Sequence, residues 1–211
     1  MNKELQQYYL QQMGIELWQE RSEEMAKAPD SDDLNVLCQE VASCQQCALH
    51  KTRRQTVFAR GNSKARLMVI GEAPGYHEDQ QGKPFVGRAG GLLDQMLKSI
   101  GFSEDDVYIA NVLKCRPPDN RDPNGDEIVR CSQYLTRQIA IIKPVALLAV
   151  GRFAGQFLLK EALSMAQMRS SVHHYEGTPC IVSYHPAYLL RKPMDKKKAY
   201  KDLLQLKTLL N

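Results

Sequence analysis

The segment Leu67-Met68-Val69-Ile70-Gly71-Glu72-Ala73-Pro74-Gly75 decides the fold class. Its first four residues form a continuous apolar run, which is typical of a strand that is buried on both faces of a sheet. The Gly-Glu-Ala-Pro-Gly stretch that follows indicates a turn at the end of this strand. Strands of this kind belong to parallel sheets that are covered by helices on both faces, so the segment predicts an α/β protein.

Downstream of this strand, apolar runs alternate with helical patterns. Strands are predicted at 67–70, 107–112, 145–150 and 180–184, and helices at 92–100, 126–142, 152–160 and 196–210. This βαβα order predicts a mostly parallel sheet with helices on both faces. Ligands of such sheets bind in the crevice beyond the carboxyl ends of the strands, so the segments that follow the strands are the candidate site.

The size and composition of the chain fit one large domain, or one domain with an appendage. It has 211 residues, of which 43% are hydrophobic, and a net charge of +4. That mild charge is compatible with a nucleic-acid partner without requiring one. The sequence has no apolar run long enough to span a bilayer and no signal-peptide pattern, so we expect a cytoplasmic location and no membrane partner. We also expect a monomer.

Residues 1–37 differ in character from the remainder of the chain. Apolar residues recur at helical spacing up to Trp18, and a charged stretch at 20–33 then ends in a Pro-Asp-Ser-Asp-Asp run that is typical of a linker. We therefore divide the chain into an N-terminal helical and linker extension, residues 1–37, and a main domain, residues 38–211.

Polar or glycine-containing segments follow three of the predicted strands. Residues 71–75 follow the first, Asn111 ends the second, and His185-Pro186-Ala187 follows the fourth. Because the carboxyl ends of parallel strands meet at one edge of a sheet, we expect these segments to converge on one pocket. Taken singly, the same features are also typical of a plain turn, a helix cap and a structural histidine.

A glycine-rich segment, residues 82–91, lies between the first two of these features. Its glycines allow close backbone approach to a ligand, and the helix that follows favours anions at its N-terminus. It lacks the Gly-Lys-Ser/Thr ending of a Walker motif, which disfavours nucleotide hydrolysis. Phe85 within it is either a ligand contact or a core residue, and Glu78-Asp79 before it is either part of the pocket or a solvated acidic loop.

Four cysteines have the spacing of a metal or cluster site. Two form a Cys-Gln-Gln-Cys turn, and two lie far along the chain. Four thiolates suit an iron–sulfur cluster or a structural zinc, and a reducing cytosol favours either one over disulfides. Chance neighbours and ordinary buried thiols are the alternative, which we prefer for Cys38 and Cys180. The four candidate ligands are Cys44, Cys47, Cys115 and Cys131.

Four segments, in this order along the chain, resemble family 4 uracil-DNA glycosylases. The resemblance covers about residues 38–205. It implies a three-layer α/β/α sandwich with a four-stranded parallel sheet, a structural [4Fe–4S] cluster on the four cysteines, and hydrolysis of the N-glycosidic bond of deoxyuridine in DNA at the start of base-excision repair. The segments are Gly71-Glu72-Ala73-Pro74-Gly75, Lys83-Pro84-Phe85-Val86-Gly87, Asn111 to Cys115 with Arg116-Pro117-Pro118, and His185-Pro186-Ala187-Tyr188-Leu189-Leu190.

The resemblance also implies roles for single residues. Phe85 would stack on a uracil that has been flipped out of the DNA, and the amide of Asn111 would pair with O4 and N3–H of that base. His185 and backbone N–H groups near Ala73 would donate hydrogen bonds to uracil O2, on which negative charge collects as the bond breaks.

Two positions depart from the related family 1 enzymes. An Asp that helps to position or activate water stands there in place of Ala73, and a Tyr that blocks the thymine methyl stands in place of Gly75. We assign the water or backbone role to Glu72 and the exclusion of thymine to Glu78. The predicted catalytic residues are therefore His185, Glu72 and Asn111.

Basic residues near these segments are the predicted DNA contacts, and such phosphate contacts make binding salt-dependent. Residues 188–191 are a candidate wedge that fills the gap left by the flipped base, and 196–198 is interpreted as a solvated helix face. The predicted DNA-binding residues are Lys83, Arg88, Arg116 and Arg191, with Lys192 beside the last.

Two alternative functions remain open. Residues 1–20 faintly resemble the N-terminal peptide of the psi subunit of bacterial DNA polymerase III. This resemblance suggests that the tail binds a replication partner, or that the whole chain is a non-catalytic assembly subunit. An ordinary amphipathic helix is the other interpretation of this tail. The second alternative is a glycosylase for another deaminated base. A cross-linking variant is disfavoured because residues 116–123 contain no histidine.

Overall fold

The computed structural model describes residues 33–210. The expectations for residues 1–20 and for the linker up to residue 32 lie outside the described residues. The described chain forms one mixed sheet of six strands in the order β1-β3-β2-β4-β6-β5. The strands are β1 Arg60–Gly61, β2 Leu67–Gly71, β3 Val107–Asn111, β4 Ala146–Val150, β5 His173–Tyr175 and β6 Thr178–Ser183.

The four central strands, β3-β2-β4-β6, run parallel, and they are the four that the sequence predicts. The expected total of four strands is wrong, because β1 and β5 add one antiparallel strand at each edge. These edge strands are only two and three residues long, and each includes an exposed residue. A pattern that short carries no periodic signal.

Helices cover both faces of the sheet, as the α/β prediction requires. None of the helices within residues 33–210 is long and apolar enough to cross a membrane. Helix α1 begins at Leu34 and crosses the boundary that the sequence suggests between residues 37 and 38. The helices are α1 Leu34–Ser43, α2 Tyr76–Gln81, α3 Arg88–Lys98, α4 Gly125–Ile142, α5 Arg152–Leu159, α6 Met165–Met168, α7 Pro186–Arg191 and α8 Lys196–Leu210.

Strand β2 shows how the sequence produces the layers. Its side chains alternate between the faces, so Leu67 and Val69 belong to the core beneath α3 and α8, while Met68 and Ile70 belong to the core beneath α4 and α5. All of its residues are buried, which explains the continuous apolar run. The three-layer α/β/α architecture is thus confirmed.

A third apolar cluster joins helix α1 to helix α4. Leu37 and Val41 of α1 are buried in it together with Leu113 and two of the candidate cysteine ligands. At its rim, Glu40 pairs with Arg137 of α4 through two hydrogen bonds, and this pairing lowers the pKa of Glu40. The cluster lies next to the end of β3, and it therefore brings the cysteine region close to the candidate pocket.

Candidate functional site

A cavity of about 490 Å³ opens at the carboxyl ends of β2, β3 and β6. Its volume lies within the range of small-molecule sites. The strand-end segments meet there as the sequence predicts. The lining residues include Glu72, Ala73, Gly75, Glu78, Phe85, Asn111, His185 and Arg191, all of which were candidates from the sequence, and also Asn120, Arg121 and Asp122, which were not.

Asn111 supplies the polar group at the bottom of this cavity. It is the last residue of β3 and only 2% exposed. Among the described residues, its Oδ1 is the one buried side-chain oxygen or nitrogen atom without a hydrogen-bond partner. A buried unpaired acceptor destabilises a protein by about 1–3 kcal/mol. The cavity in front of it is therefore where a ligand's N–H can supply the missing donor.

Gly71 provides the space in which Asn111 sits. The two residues are register partners on neighbouring strands. A Cβ atom on Gly71 would lie 2.3 Å from Oδ1 of Asn111 and 2.6 Å from Cζ of Phe85. The sequence pattern indicates only a turn at Gly71, although a glycine that ends a buried apolar strand is also a signal of close approach.

The loop that carries Phe85 is held in a sparsely populated conformation. Phe85 has a φ of 55°, in the left-handed region that non-glycine residues rarely adopt. Oε1 of Glu78 fixes this loop by accepting hydrogen bonds from the backbone N–H groups of Val86 (2.9 Å) and Gly87 (3.1 Å). The Phe85 ring consequently lies 5.8 Å from the His185 ring, centroid to centroid, across the cavity.

The acidic pair Glu78-Asp79 is part of the structure that holds the pocket, so its interpretation as a solvated loop is wrong. Asp79 is 4% exposed and accepts hydrogen bonds from the backbone N–H of Arg54 at 3.0 and 3.2 Å. Oε2 of Glu78 lies 2.9 Å from where a Cβ of Gly75 would be. Glu78 therefore fills the space that a side chain at Gly75 would need.

His185 is positioned as a neutral hydrogen-bond donor. It caps the N-terminus of α7, where its Nδ1 accepts the backbone N–H of Ala187 at 3.1 Å. The pKa of His185 is lowered to about 4, chiefly by burial and then by the charge of Arg191, while Glu78 acts in the opposite direction. Because Nδ1 is an acceptor and the ring is neutral near pH 7, the ring proton is on Nε2.

A buried polar network anchors the strand that leads to His185. Ser183, at the end of β6, donates its hydroxyl hydrogen to Asp202 Oδ2 at 2.7 Å. Asp202 in turn accepts two hydrogen bonds from Arg169, both at 2.8 Å. A fully satisfied network of this kind makes the surrounding structure rigid, and it therefore fixes the position from which His185 enters the cavity.

Glu72 is a titratable group with an altered pKa in the same cavity. Its pKa is raised to about 7, chiefly by burial and then by the charge of Asp122, while Arg152 acts in the opposite direction. Asp122 comes from the loop after β3, which Arg121 anchors through hydrogen bonds to Glu127 at 2.6 and 3.0 Å. Sequence patterns did not predict these loop residues because irregular loops have no periodicity.

The predicted DNA-binding residues have different surroundings. Arg191 lines the cavity, whereas Lys83 and Arg88 are exposed and do not belong to its lining. Arg116 donates from Nε to Asn120 Oδ1 at 2.8 Å, and its guanidinium lies 5.2 Å from the Tyr76 ring centroid.

The candidate wedge, residues 188–191, is only partly available to DNA. Leu189 is fully buried in the core, and Tyr188 stacks on Tyr184 while its hydroxyl donates to Asp195 at 2.6 Å. Leu190 and Arg191 are the exposed members of the segment. The structure therefore limits a wedge in this segment to these two residues.

The four candidate cysteine ligands line one recess beside α1 and α4. Two hydrogen-bond donors point at their sulfurs: Arg53 Nη1 lies 3.1 Å from Cys115 Sγ, and the backbone N–H of Lys114 lies 3.2 Å from Cys131 Sγ. Burial raises the pKa of the Cys131 thiol to about 11. Cys180 is fully buried elsewhere in the core, as expected for an ordinary thiol.

The groups around this recess indicate what it could hold. Within residues 33–210, no three Cys, His, Asp or Glu side chains are gathered closely enough to share a single metal ion. The four thiols share one recess, and a guanidinium and a backbone N–H donate to two of the sulfurs. Donors of this kind suit the thiolate ligands of an iron–sulfur cluster.

Comparisons with known proteins are consistent with this geometry. The family model for the uracil DNA glycosylase superfamily matches residues 58–205. A type-4 uracil-DNA glycosylase of Archaeoglobus fulgidus is 42% identical over 83% of this chain and 92% of its own length. Proteins with the same name from Saccharolobus solfataricus and Thermotoga maritima are 43% and 40% identical, over 85% and 75% of this chain and 88% and 83% of their own lengths.

Proposed function

Because this chain belongs to the uracil-DNA glycosylase superfamily and is similar over most of its length to type-4 enzymes of that superfamily, we propose that it removes uracil from DNA by hydrolysing the N-glycosidic bond of deoxyuridine. The observation that carries the proposal is the unpaired Oδ1 of Asn111 at the bottom of the cavity. The products are free uracil and an abasic site, with which base-excision repair begins.

Base reading rests on Asn111 and Phe85. Uracil within a duplex is out of reach, so the nucleotide must first be flipped out of the helix into the cavity. Asn111 Oδ1 then accepts the hydrogen bond from N3–H, while its Nδ2 donates to O4. Cytosine presents a donor and a bare acceptor at these positions, so both contacts would be repulsive. Phe85 stacks on the flipped ring.

Bond cleavage rests on His185. As the bond between C1′ and N1 breaks, its electron pair leaves with uracil, and negative charge collects on O2. The neutral His185 ring donates from Nε2 to that oxygen, and backbone N–H groups near Ala73 are the second source of donors. A preorganised donor aimed at developing charge contributes about 3–4 kcal/mol.

Water must then add to the sugar cation at C1′ and lose a proton. Glu72 is the candidate group, because burial raises its pKa to about 7 and it lines the same cavity. In its carboxylate form it orients the water and accepts the proton. Glu78 has a different role: it fills the space beside Gly75, and there it would exclude the methyl group of thymine.

We expect His185→Ala to reduce uracil excision by about 100-fold, because one oxyanion donor is lost. The measurement is excision from a labelled single-stranded oligonucleotide, scored as strand breakage after alkali. Replacing His174, an exposed histidine outside the cavity lining, with alanine is the matched control. If cluster-loaded wild-type protein released no uracil from single-stranded or duplex DNA, another base specificity or the assembly-subunit function would be favoured.

The pH dependence of excision tests Glu72. Below pH 7 its carboxyl group is largely protonated and cannot accept a proton from water, so activity should rise as pH increases through about 7. Glu72→Gln should lower activity and abolish this rise, whereas Glu161→Gln, at an exposed glutamate, should retain it. An unchanged rise in Glu72→Gln would assign the titration to another group.

We propose that Cys44, Cys47, Cys115 and Cys131 hold a structural [4Fe–4S] cluster. The recess that the four cysteines share and the two hydrogen-bond donors to sulfur support this assignment. The cluster would tie α1 to the loop after β3, beside Asn111. Brown protein that contains iron is the expected result of purification, and colourless protein loaded with zinc would contradict it.

Two partner proposals complete the function. Phosphates of single- or double-stranded DNA would contact Arg191 at the cavity and the exposed Lys83 and Arg88 beside it, with Arg116 nearby. Residues 1–20 would dock on the clamp loader of the replication machinery. Deleting residues 1–30 should then abolish binding to clamp loader without changing excision, and unchanged binding would contradict the docking.

A further inference from the structure

Lys114 lies between the two sites described above. It follows Asn111 by three residues, precedes Cys115, and is only 1% exposed. Its ammonium group turns back and donates hydrogen bonds to the backbone carbonyl of Asn111 (2.7 Å) and to Oε1 of Gln138 (2.5 Å). Its own backbone N–H donates to Cys131 Sγ at 3.2 Å. A single buried residue therefore contacts Asn111 through its side chain and the cysteine recess through its backbone N–H.

The charge of Lys114 has no carboxylate to balance it. Within residues 33–210, it forms no ion pair with an Asp or Glu side chain. Burial lowers the pKa of Lys114, and the ionisable groups that act in the opposite direction are the thiols of Cys131 and Cys115. A buried charge is strongly destabilising unless it is paired. Four thiolates that hold a cluster would supply the negative charge that the ammonium group needs.

We propose, on the premise of the glycosylase function and cluster assigned above, that Lys114 is the positioning residue through which the four-cysteine site supports uracil reading by Asn111. The cluster thiolates keep the ammonium group in place. The ammonium group holds the carbonyl of Asn111, and Asn111 presents its amide to the base. Lys114 itself does not line the cavity.

Coupling between two sites is reciprocal, since each ligand must change the affinity for the other by the same factor. If the cluster improves uracil binding through Lys114, then uracil in the pocket must slow loss of the cluster. We expect saturating free uracil to slow iron release from the wild-type protein by about fivefold, at the low end of typical couplings.

The experiment measures iron release from the intact loaded protein to a chelator, with and without free uracil, through the visible absorbance of the cluster. Lys114→Met keeps the length of the side chain and removes the charge. Uracil should no longer protect the cluster in this variant, and KM should rise more than kcat falls. Lys64→Met is the matched control: Lys64 is an exposed lysine, so this variant should behave like the wild type.

A second variant tests the same point should Lys114→Met fail to fold. Gln138 is fully buried, and its Nε2 donates to Tyr108 Oη at 2.9 Å. Gln138→Glu would place a carboxylate against Lys114 and give it a partner that is independent of the sulfurs. Because the buried charge of Lys114 then has a carboxylate partner, we expect this variant to excise uracil within about threefold of wild type while its cluster is protected less by uracil.

The outcomes separate this inference from the proposed function. A wild-type protein that excises uracil but gains no protection from it, or equal protection in Lys114→Met and wild type, overturns the role of Lys114 alone. A wild-type protein without uracil excision overturns both the proposed function and this inference. Protection that is lost in Lys114→Met and weakened in Gln138→Glu supports it.

Discussion

Replacing Asn111 with alanine is expected to reduce kcat/KM for uracil excision by about 1,000-fold. The variant loses the acceptor for uracil N3–H and the donor to O4, and both polar groups of the base are then left unpaired in a buried site. Each unpaired group destabilises the complex by about 1–3 kcal/mol, and roughly 4 kcal/mol in total corresponds to the stated factor.

Folding of Asn111→Ala should be unaffected by the loss of hydrogen bonds, because the Oδ1 atom makes none in the protein. Single-turnover excision from a uracil-containing oligonucleotide measures the effect, and thermal unfolding reports on stability. Asn35→Ala, at an exposed position on α1, serves as the control. Activity of Asn111→Ala within tenfold of wild type would rule out this residue as the reader of the base.

Gly71→Ala should reduce excision by about 10,000-fold, although it adds only one methyl group. The new Cβ would lie 2.3 Å from Asn111 Oδ1 and 2.6 Å from the Phe85 ring, so both side chains must move. A displacement of about 1 Å in a catalytic arrangement can reduce the rate 100-fold, and here two groups are displaced. Overpacking should also reduce the free energy of unfolding by about 1–3 kcal/mol.

The matched control for Gly71→Ala lies on helix α3. A Cβ on Gly91 would meet no atom within 4 Å, and the residue is exposed. Gly91→Ala should therefore retain full activity and increase the free energy of unfolding by up to about 1 kcal/mol, since alanine favours the helix. Comparable activity in the two variants would mean that the close packing beneath Asn111 is unimportant.

Where the sequence predicted the fold correctly, a strong local pattern determined the structure. The runs at β2, β3, β4 and β6 are apolar because both faces of each strand are covered, and a buried strand has few alternatives. The meeting of Glu72, Asn111 and His185 at one edge then follows from the parallel direction of the strands. Topology therefore brought together residues that are far apart in the sequence.

The features that the sequence did not reveal depend on contacts between segments. The hydrogen bonds from Val86 and Gly87 to Glu78 form only once the loops and strands have packed. The same is true of the close contact between Gly71 and Asn111. The loop with Arg121 lines the cavity because Glu127 holds it in place. Such arrangements have no period in the sequence and cannot be predicted from composition.

The two short edge strands have a consequence for how this protein behaves at high concentration. Exposed sheet edges are templates on which another chain can add a strand, and long flat edges therefore promote aggregation. Here β1 has two residues and ends at Gly61, and β5 has three residues. Arg60 of β1 also forms ion pairs with Asp94 and Glu104. Neither edge offers a long row of free backbone groups, so the folded sheet resists growth by intermolecular strand pairing.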